Sequence, residues 1–393
     1  MSVAISVPLP LEVTSSPRGP QGRMLQLDGI RGLAVLSVLA WHWIPPYPYF
    51  RYFPLGVVGV RVFFVLSGFL ITRILLRARN AAEQVEAPWW APVRTFYIRR
   101  VLRIFPVYYV ILAFILIGGV PAARQNFQWH LLYLSNFLSA RQGTAGGSTG
   151  HFWSLAVEEQ FYMVWPWLVL FLPRKIVPWL IVSVFAMGPI YRLLMSVFSN
   201  NYPATAMLPM GCFDSLGAGA MLAWGMEQGS AKFLKRLTTF NLTAGLPILA
   251  LGLFFYCTRP DSNGQDLDIG SIVLIDLGVA LTSAWVIYRA SSGFGGVVGR
   301  FLSCAPLIYM GTVSYCVYIV HPFVHNIVLK LLAKMHIGEA SWETQPSKDL
   351  RVILAIATTS FTITMIISTA SWFLFERRLV KLGHTLTTQP VRA

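Results

Sequence analysis

The sequence predicts an all-α integral membrane protein, a bundle of about ten transmembrane helices with both termini on the cytoplasmic side. Three observations predict it. Of the 393 residues, 55% are hydrophobic and 12% charged, whereas soluble domains carry about 25% charged residues. The apolar residues fall into about ten runs, each near the roughly 20 residues that a bilayer-crossing helix requires. With the N terminus inside, the inner segments hold roughly twice as many Lys and Arg as the outer ones, which is the asymmetry of the positive-inside rule. The basic residues sit in short clusters between apolar runs, so orientation accounts for the net charge of +15 and nucleic acid is not implied.

Residues 1–24 are rich in Pro and Ser, with Arg18 and Arg23 just before the first span. They lack the basic start, long apolar core and small-residue cleavage site of a signal peptide, so a disordered cytoplasmic tail is expected. The membrane domain is expected over 25–380, with a second cytoplasmic tail over 381–393. The expected spans are 27–44, 56–77, 102–119, 154–172, 176–196, 210–226, 241–257, 269–288, 306–330 and 351–375.

The first span carries Asp28, Arg31 and His42. Eleven residues at about 100° each return Arg31 and His42 to one helix face, about 16 Å apart along the axis, with Asp28 close to that face. Ionisable groups inside a span face a bundle interior or wet cavity and are functional candidates. The competing reading is an interfacial ion pair of Asp28 and Arg31 with His42 as an interfacial anchor. The Pro- and aromatic-rich stretch 45–55 is expected to be a rigid interfacial loop. In the second span, Gly56, Gly59 and the Ser67-Gly68 pair suit close helix packing, and Arg61 requires a carboxylate or water.

Arg100 and Arg103 lie one helical turn apart at the mouth of the third span. Arginine forks suit phosphate oxygens; plain anchoring or anionic lipid is the alternative. Residues 120–153 form the longest outer segment. Glu158 and Glu159 then enter the fourth span about 100° apart, so only one need face inward. Partnership with Arg61 or His42 and interfacial solvation are both open. Asp214 and Asp276 lie within apolar runs and suit hydrogen bonding between helices. Residues 289–300 are expected to be a flexible inner loop. In the ninth span His321 follows two tyrosines, His325 lies one turn further on, and Pro322 is expected to kink the helix. Cys212, Cys257, Cys304 and Cys316 form no CxxC pair, so neither a zinc site nor a disulfide framework is expected, and no residue is assigned to a metal. Phosphate-loop, zinc-protease and nucleophile-elbow motifs are missing.

Several stretches together resemble the acyltransferase family 3, the integral-membrane O-acyltransferases of the surface-polysaccharide acetylase type. They are Leu27-Asp-Gly-Ile-Arg-Gly-Leu-Ala-Val with His42, Gly59-Val-Arg-Val-Phe-Phe-Val-Leu-Ser-Gly-Phe-Leu-Ile-Thr72 and Arg99-Arg-Val-Leu-Arg-Ile-Phe-Pro-Val-Tyr108. Phe152-Trp-Ser-Leu-Ala-Val-Glu-Glu-Gln-Phe-Tyr162, Ser314-Tyr-Cys-Val-Tyr-Ile-Val-His321 and Phe375-Glu-Arg complete the set. Each is weak alone; their order over residues 27–377 is specific. The chain shows no esterase-like extracellular segment, and its final span ends Glu-Arg-Arg-Leu where Glu-Arg/Lys-Pro is commoner.

The resemblance implies a ten-span bundle in a bacterial inner membrane. It would move an acyl group, acetyl first among candidates, from cytoplasmic acyl-CoA to a hydroxyl of a sugar-containing acceptor at or across the membrane. Acyl-CoA is a co-substrate in this reading, with no permanently bound cofactor. The family's Arg-x10-His pair maps onto Arg31 and His42, and its Arg-x-x-Arg pair onto Arg100 and Arg103. Arg100 and Arg103 would bind the phosphates, and His42 would accept the acceptor's proton. Asp28, Arg31 or Glu158 would orient polar groups, and His321 would stabilise the oxyanion or hold the acceptor. An acyl-histidine intermediate is the rival route. A secondary transporter of an organic anion would use the same charges, but would normally show broken helices in matching halves. An inactive scaffold is disfavoured, since His42 and the arginines are all present.

Overall fold

A computed structural model of the chain describes residues 18–19, 23–44, 53–86, 88, 90–145, 147–258, 269–334 and 349–388. The described residues are helical apart from turns and a two-residue antiparallel pairing of Arg18–Gly19 with Arg23–Met24. The tail expected over residues 1–24 lies largely outside the described residues, as do positions 45–52 of the expected interfacial loop and the end of the chain from 389.

Each of the expected spans is a helix. They are α1 (Leu25–Trp43), α2 (Leu55–Gln84), α3 (Trp90–Ile117), then, after the short helices α4 (Pro121–Gln125), α5 (Phe127–Leu131) and α6 (Ser135–Gln142), α7 (Phe152–Phe171) and α8 (Val177–Phe198). After the five-residue α9 (Tyr202–Ala206) come α10 (Phe213–Glu227), α11 (Ala231–Cys257) and α12 (Ile269–Ser292). The last are the short α13 (Gly296–Leu302), α14 (Ala305–Lys334), α15 (Leu350–Ser371) and, beyond a π turn at Trp372–Glu376, α16 (Arg377–Thr388). Among the described residues 7 helices are long and apolar enough to cross a membrane. The other expected spans, α1, α7 and α10, have 19, 20 and 15 residues. At 1.5 Å per residue α10 reaches only about 22 Å, short of the roughly 30 Å hydrocarbon core. The chain is thus a multi-pass membrane protein.

Burial separates a central group of helices from a lipid-facing rim. In the most apolar stretch of α2 67% of residues are buried, against 17% in α8 and in α11. With lipid around the bundle, apolar side chains are stable outside as well as inside. Close approach therefore rests on small residues. A Cβ on Gly311 of α14 would lie 1.9 Å from the Asp28 carbonyl oxygen of α1, and one on Gly68 of α2 would lie 2.0 Å from the Leu216 carbonyl oxygen of α10. Both helix pairs meet backbone to backbone at these points.

Several local expectations are revised. The third span was expected from 102, but α3 starts at Trp90, so Arg94, Arg99, Arg100 and Arg103 project from regular helix. The longest segment between spans, after α3, holds the short helices α4 to α6. Residues 289–300, expected as a loop, fall largely in helix, since α12 runs to Ser292 and α13 starts at Gly296, and Phe294 between them is held by Gln26. The Gln26 amide donates to the Phe294 carbonyl at 3.1 Å and accepts from the Phe294 N–H at 2.8 Å. Pro322, where a kink was expected, lies inside the single helix α14, Ala305–Lys334. At the C-terminal end α16 continues past 380 and packs on α3, where Arg99 Nε donates to the Thr387 hydroxyl at 2.8 Å.

Candidate active site

α1, α2, α3, α7 and α14 enclose a cavity of about 80 Å³ whose wall includes Arg31, Ser67, Arg100, Arg103, Glu158 and Tyr318. The spacing of the arginines explains their convergence. Arg100 and Arg103, one turn apart, enter together from α3, and Arg31 enters from the first turns of α1. The Arg100 guanidinium lies over the Tyr162 ring, 3.8 Å from its centroid. Arg103 is exposed. The Nε atoms of Arg31 and Arg100 are buried and have no hydrogen-bond partner among the described residues. Three guanidinium groups around one space, two with a buried Nε that lacks a partner, are the kind of donor set that could hold an anion.

Glu158 forms the acidic part of the same wall. The Tyr162 hydroxyl donates to Ser67 Oγ at 2.8 Å, and Ser67 donates to Glu158 Oε1 at 2.6 Å. Glu158 is thereby held between α2 and α7. Of the two adjacent glutamates it is the one in the cavity wall; Glu159 is not in it. Neither pairs with Arg61, which donates instead to Asp276 and, at 3.1 Å, to the Ala206 carbonyl. Six residues separate Arg61 from Ser67, which is about 120° around α2, so the two side chains look into different interfaces. Asp28 is half-buried and outside the cavity wall, within electrostatic reach of Arg103.

His42 stands at the far end of α1, exposed, against buried His321 of α14. His42 Nδ1 lies 2.8 Å from the Val38 carbonyl, and His321 Nδ1 lies 2.7 Å from the Tyr318 carbonyl. Carbonyls only accept, so each Nδ1 carries the proton and each Nε2 keeps its lone pair. His321 Nε2 lies 3.3 Å from His42 Nδ1. The His42 Nδ1–H is thus shared between Val38 O and His321 Nε2, and His42 Nε2 remains as a free base. His321 therefore meets His42 directly. The two groups connect through Tyr318, whose ring lines the cavity and lies 5.7 Å from that of His321.

Three parts of this arrangement were not singled out in the sequence. His151, at the start of α7, packs its ring 5.3 Å from that of His321 and bonds the Ile319 carbonyl at 3.0 Å. Ser154, whose hydroxyl lies 2.5 Å from that of Tyr318, one of the two tyrosines before His321, joins α7 to α14. Arg192 pairs in bidentate fashion with Asp214 at 3.0 and 2.6 Å, completing a buried cluster with Arg61 and Asp276. An arginine inside an apolar run was the available signal for that last group. His130, in α5 outside the spans, is a structural group. Burial pushes its imidazole down to about 4, and its Nδ1 bonds Ser135 Oγ at 2.8 Å.

Comparison with known proteins fits this geometry. Residues 24–376 match the family described as Acyltransferase domain. The chain is 29% identical over 365 residues to YrhL of Bacillus subtilis strain 168, covering 80% of this chain and 53% of that protein. It is 29% identical over 318 residues to the peptidoglycan O-acetyltransferase OatA of Listeria monocytogenes, covering 75% of this chain and 48% of OatA. It is 27% identical over 344 residues to the O-acetyltransferase OatA of Staphylococcus aureus strain NCTC 8325, covering 79% of this chain and 51% of that protein. The chain thus spans about half the length of these curated relatives. No solved structure matches. The match of residues 24–376, over the same helices that build the arginine cavity and the His42–His321 contact, places the chain in the acyltransferase family 3.

Proposed function

We propose that this protein is a membrane-bound O-acyltransferase. It takes an acetyl group from cytoplasmic acyl-CoA and passes it to a hydroxyl of a sugar-containing acceptor at or across the membrane. Peptidoglycan, the substrate in the name of the Listeria relative, is the first acceptor to test. The observation that carries this reading is the single cavity that gathers Arg31, Arg100 and Arg103 and ends at Tyr318, beside the His321–His42 pair.

In the mechanism, the donor phosphates bind the three arginines through charge-assisted hydrogen bonds. The thioester extends along α1 towards His42, about 16 Å from Arg31. His42 Nε2 takes the proton of the acceptor hydroxyl as that oxygen attacks the thioester carbonyl carbon. The carbon–sulfur bond then breaks, and the departing thiolate takes the proton from His42. His321 Nε2 accepts from His42 Nδ1–H throughout, favouring the imidazolium and fixing its tautomer. Glu158, held by Ser67, balances the positive charge of the arginine cluster. Ligand pockets usually measure ~300–1,000 Å³, so the donor is expected to widen the 80 Å³ cavity. The transporter reading loses support, because α14, the candidate broken helix, is continuous.

Thermal unfolding of the purified protein in detergent, with and without acetyl-CoA, tests the donor. Ligand at about 100 times its Kd should stabilise by roughly 2.7 kcal/mol. The rise should disappear in Arg100→Gln/Arg103→Gln. Exposed Arg103→Gln alone, which leaves the Arg100–Tyr162 stack intact, should weaken it. Folded wild type that gains nothing from any acyl-CoA would sink the donor assignment.

A further inference from the structure

Far from the arginine cavity, α8, α10 and α11 leave a groove of about 580 Å³ between them. Its volume falls in the range of ligand pockets. Pro178 and Trp179 form one side, Met221 and Trp224 the floor, and Phe233 and Arg236 the other side. Except for Arg236 the wall is apolar. α10 ends at Glu227 and α11 begins at Ala231, so the groove opens at the end of the bundle where α10 passes into α11. Trp179, exposed at this end, is a residue type that settles at the bilayer–water boundary.

Charge decides which chain the groove takes. Lys175 precedes α8, and Lys232, Lys235 and Arg236 occupy the first turns of α11; all four are exposed. Among the described residues none of them forms an ion pair, whereas neighbouring Arg174 is taken by Glu83. α8 and α11 contain no Asp or Glu. A long side chain such as Arg236 lays its apolar stem along the groove while its guanidinium stays at the headgroup level. An apolar trough ending in an unmatched cationic rim complements an acyl chain carrying a negative headgroup.

We propose that this groove binds a bilayer phospholipid with an anionic headgroup, its acyl chain between Trp179, Met221 and Phe233 and its phosphate on Arg236. The site is separate from the transfer chemistry and does not depend on that assignment. Native mass spectrometry of the full chain, released from micelles doped with phosphatidylglycerol or phosphatidylcholine of the same acyl chains, tests it. Wild type should retain phosphatidylglycerol preferentially. Lys232→Gln/Lys235→Gln/Arg236→Gln, which alters exposed residues only, should lose that preference, by about fivefold per charge removed. Arg377→Gln/Arg378→Gln, two equally exposed cations on α16, should keep it. Met221→Trp, which fills the floor, should reduce retention of both lipids. Equal retention of the two lipids by wild type, a preference unchanged in the triple variant, or dimers in place of lipid adducts would overturn the proposal.

Discussion

At the scale of single residues, the His42–His321 contact makes the sharpest demand. An exposed imidazole whose Nδ1–H is held by two acceptors has its Nε2 lone pair free, which is the state a general base needs. His42→Ala is therefore expected to lower the transfer rate by about 10²–10⁴-fold, with little effect on thermal unfolding. In the proposed mechanism His321 acts through His42 as a positioning residue. His321→Leu should cost roughly 10–100-fold in kcat with KM nearly unchanged, the worth of a hydrogen bond to a charged group. His321→Gln, whose amide oxygen still accepts from His42 Nδ1–H, should recover part of that loss. Equal activity in the Leu and Gln variants would remove the positioning role, since both keep the packing volume.

At the scale of elements, the His42–His321 contact depends on how closely α1 and α14 approach. Gly311 touches the backbone of α1 at Asp28, in the same helix that carries His42 in its last turn. Gly311→Ala forces these two backbones apart and should destabilise the protein by about 1–3 kcal/mol, as overpacking does. It should also slow transfer by disturbing the alignment of His42 with His321. Gly295, where a Cβ meets nothing within 4 Å, is the control. Gly295→Ala should leave the melting temperature and the rate unchanged. Matched effects at both sites would mean that the α1–α14 contact is not tight.

At the scale of the whole molecule, the cluster Arg61, Asp276, Arg192 and Asp214 ties α2, α8, α10 and α12 together inside the bundle. Its side chains are almost fully buried and its two positive charges match two negative ones. Arg192 also donates to the Gly211 carbonyl at 2.6 Å, and its Nε lies 3.6 Å from Asp276. Such clusters are costly to break singly, because one charge is left unmatched in a poor dielectric. Asp276→Asn should destabilise by about 3–5 kcal/mol. Arg61→Met/Asp276→Leu, which removes the pair, should cost less than the sum of its single variants in a double-mutant cycle of thermal unfolding. Strict additivity would show that the pair is not coupled.

The helices themselves were legible in the sequence, because a membrane admits only backbone that satisfies its own hydrogen bonds. Apolar runs of sufficient length therefore fixed the positions of α1, α2, α7, α8, α10, α11, α12, α14 and α15 to within a few residues at most ends. The start of α3 was missed by a dozen residues and that of α11 by ten, since basic and polar helix beyond the apolar core leaves no hydropathy signal. Helical periodicity also placed Arg100 beside Arg103 and Arg31 on the face of His42. What the sequence left open was which charge meets which. Arg61 could have paired with any intramembrane carboxylate, and the packing of α2 on α10 and α12 assigned it to Asp276. Glu158 rather than Glu159 entered the cavity wall, alongside Ser67. His321 came to stand behind His42 only because glycines let α14 lie directly on α1. Local propensity and lipid exclusion act along the chain and can be read from it; partner choice depends on contacts between distant segments and exists only once the bundle has closed.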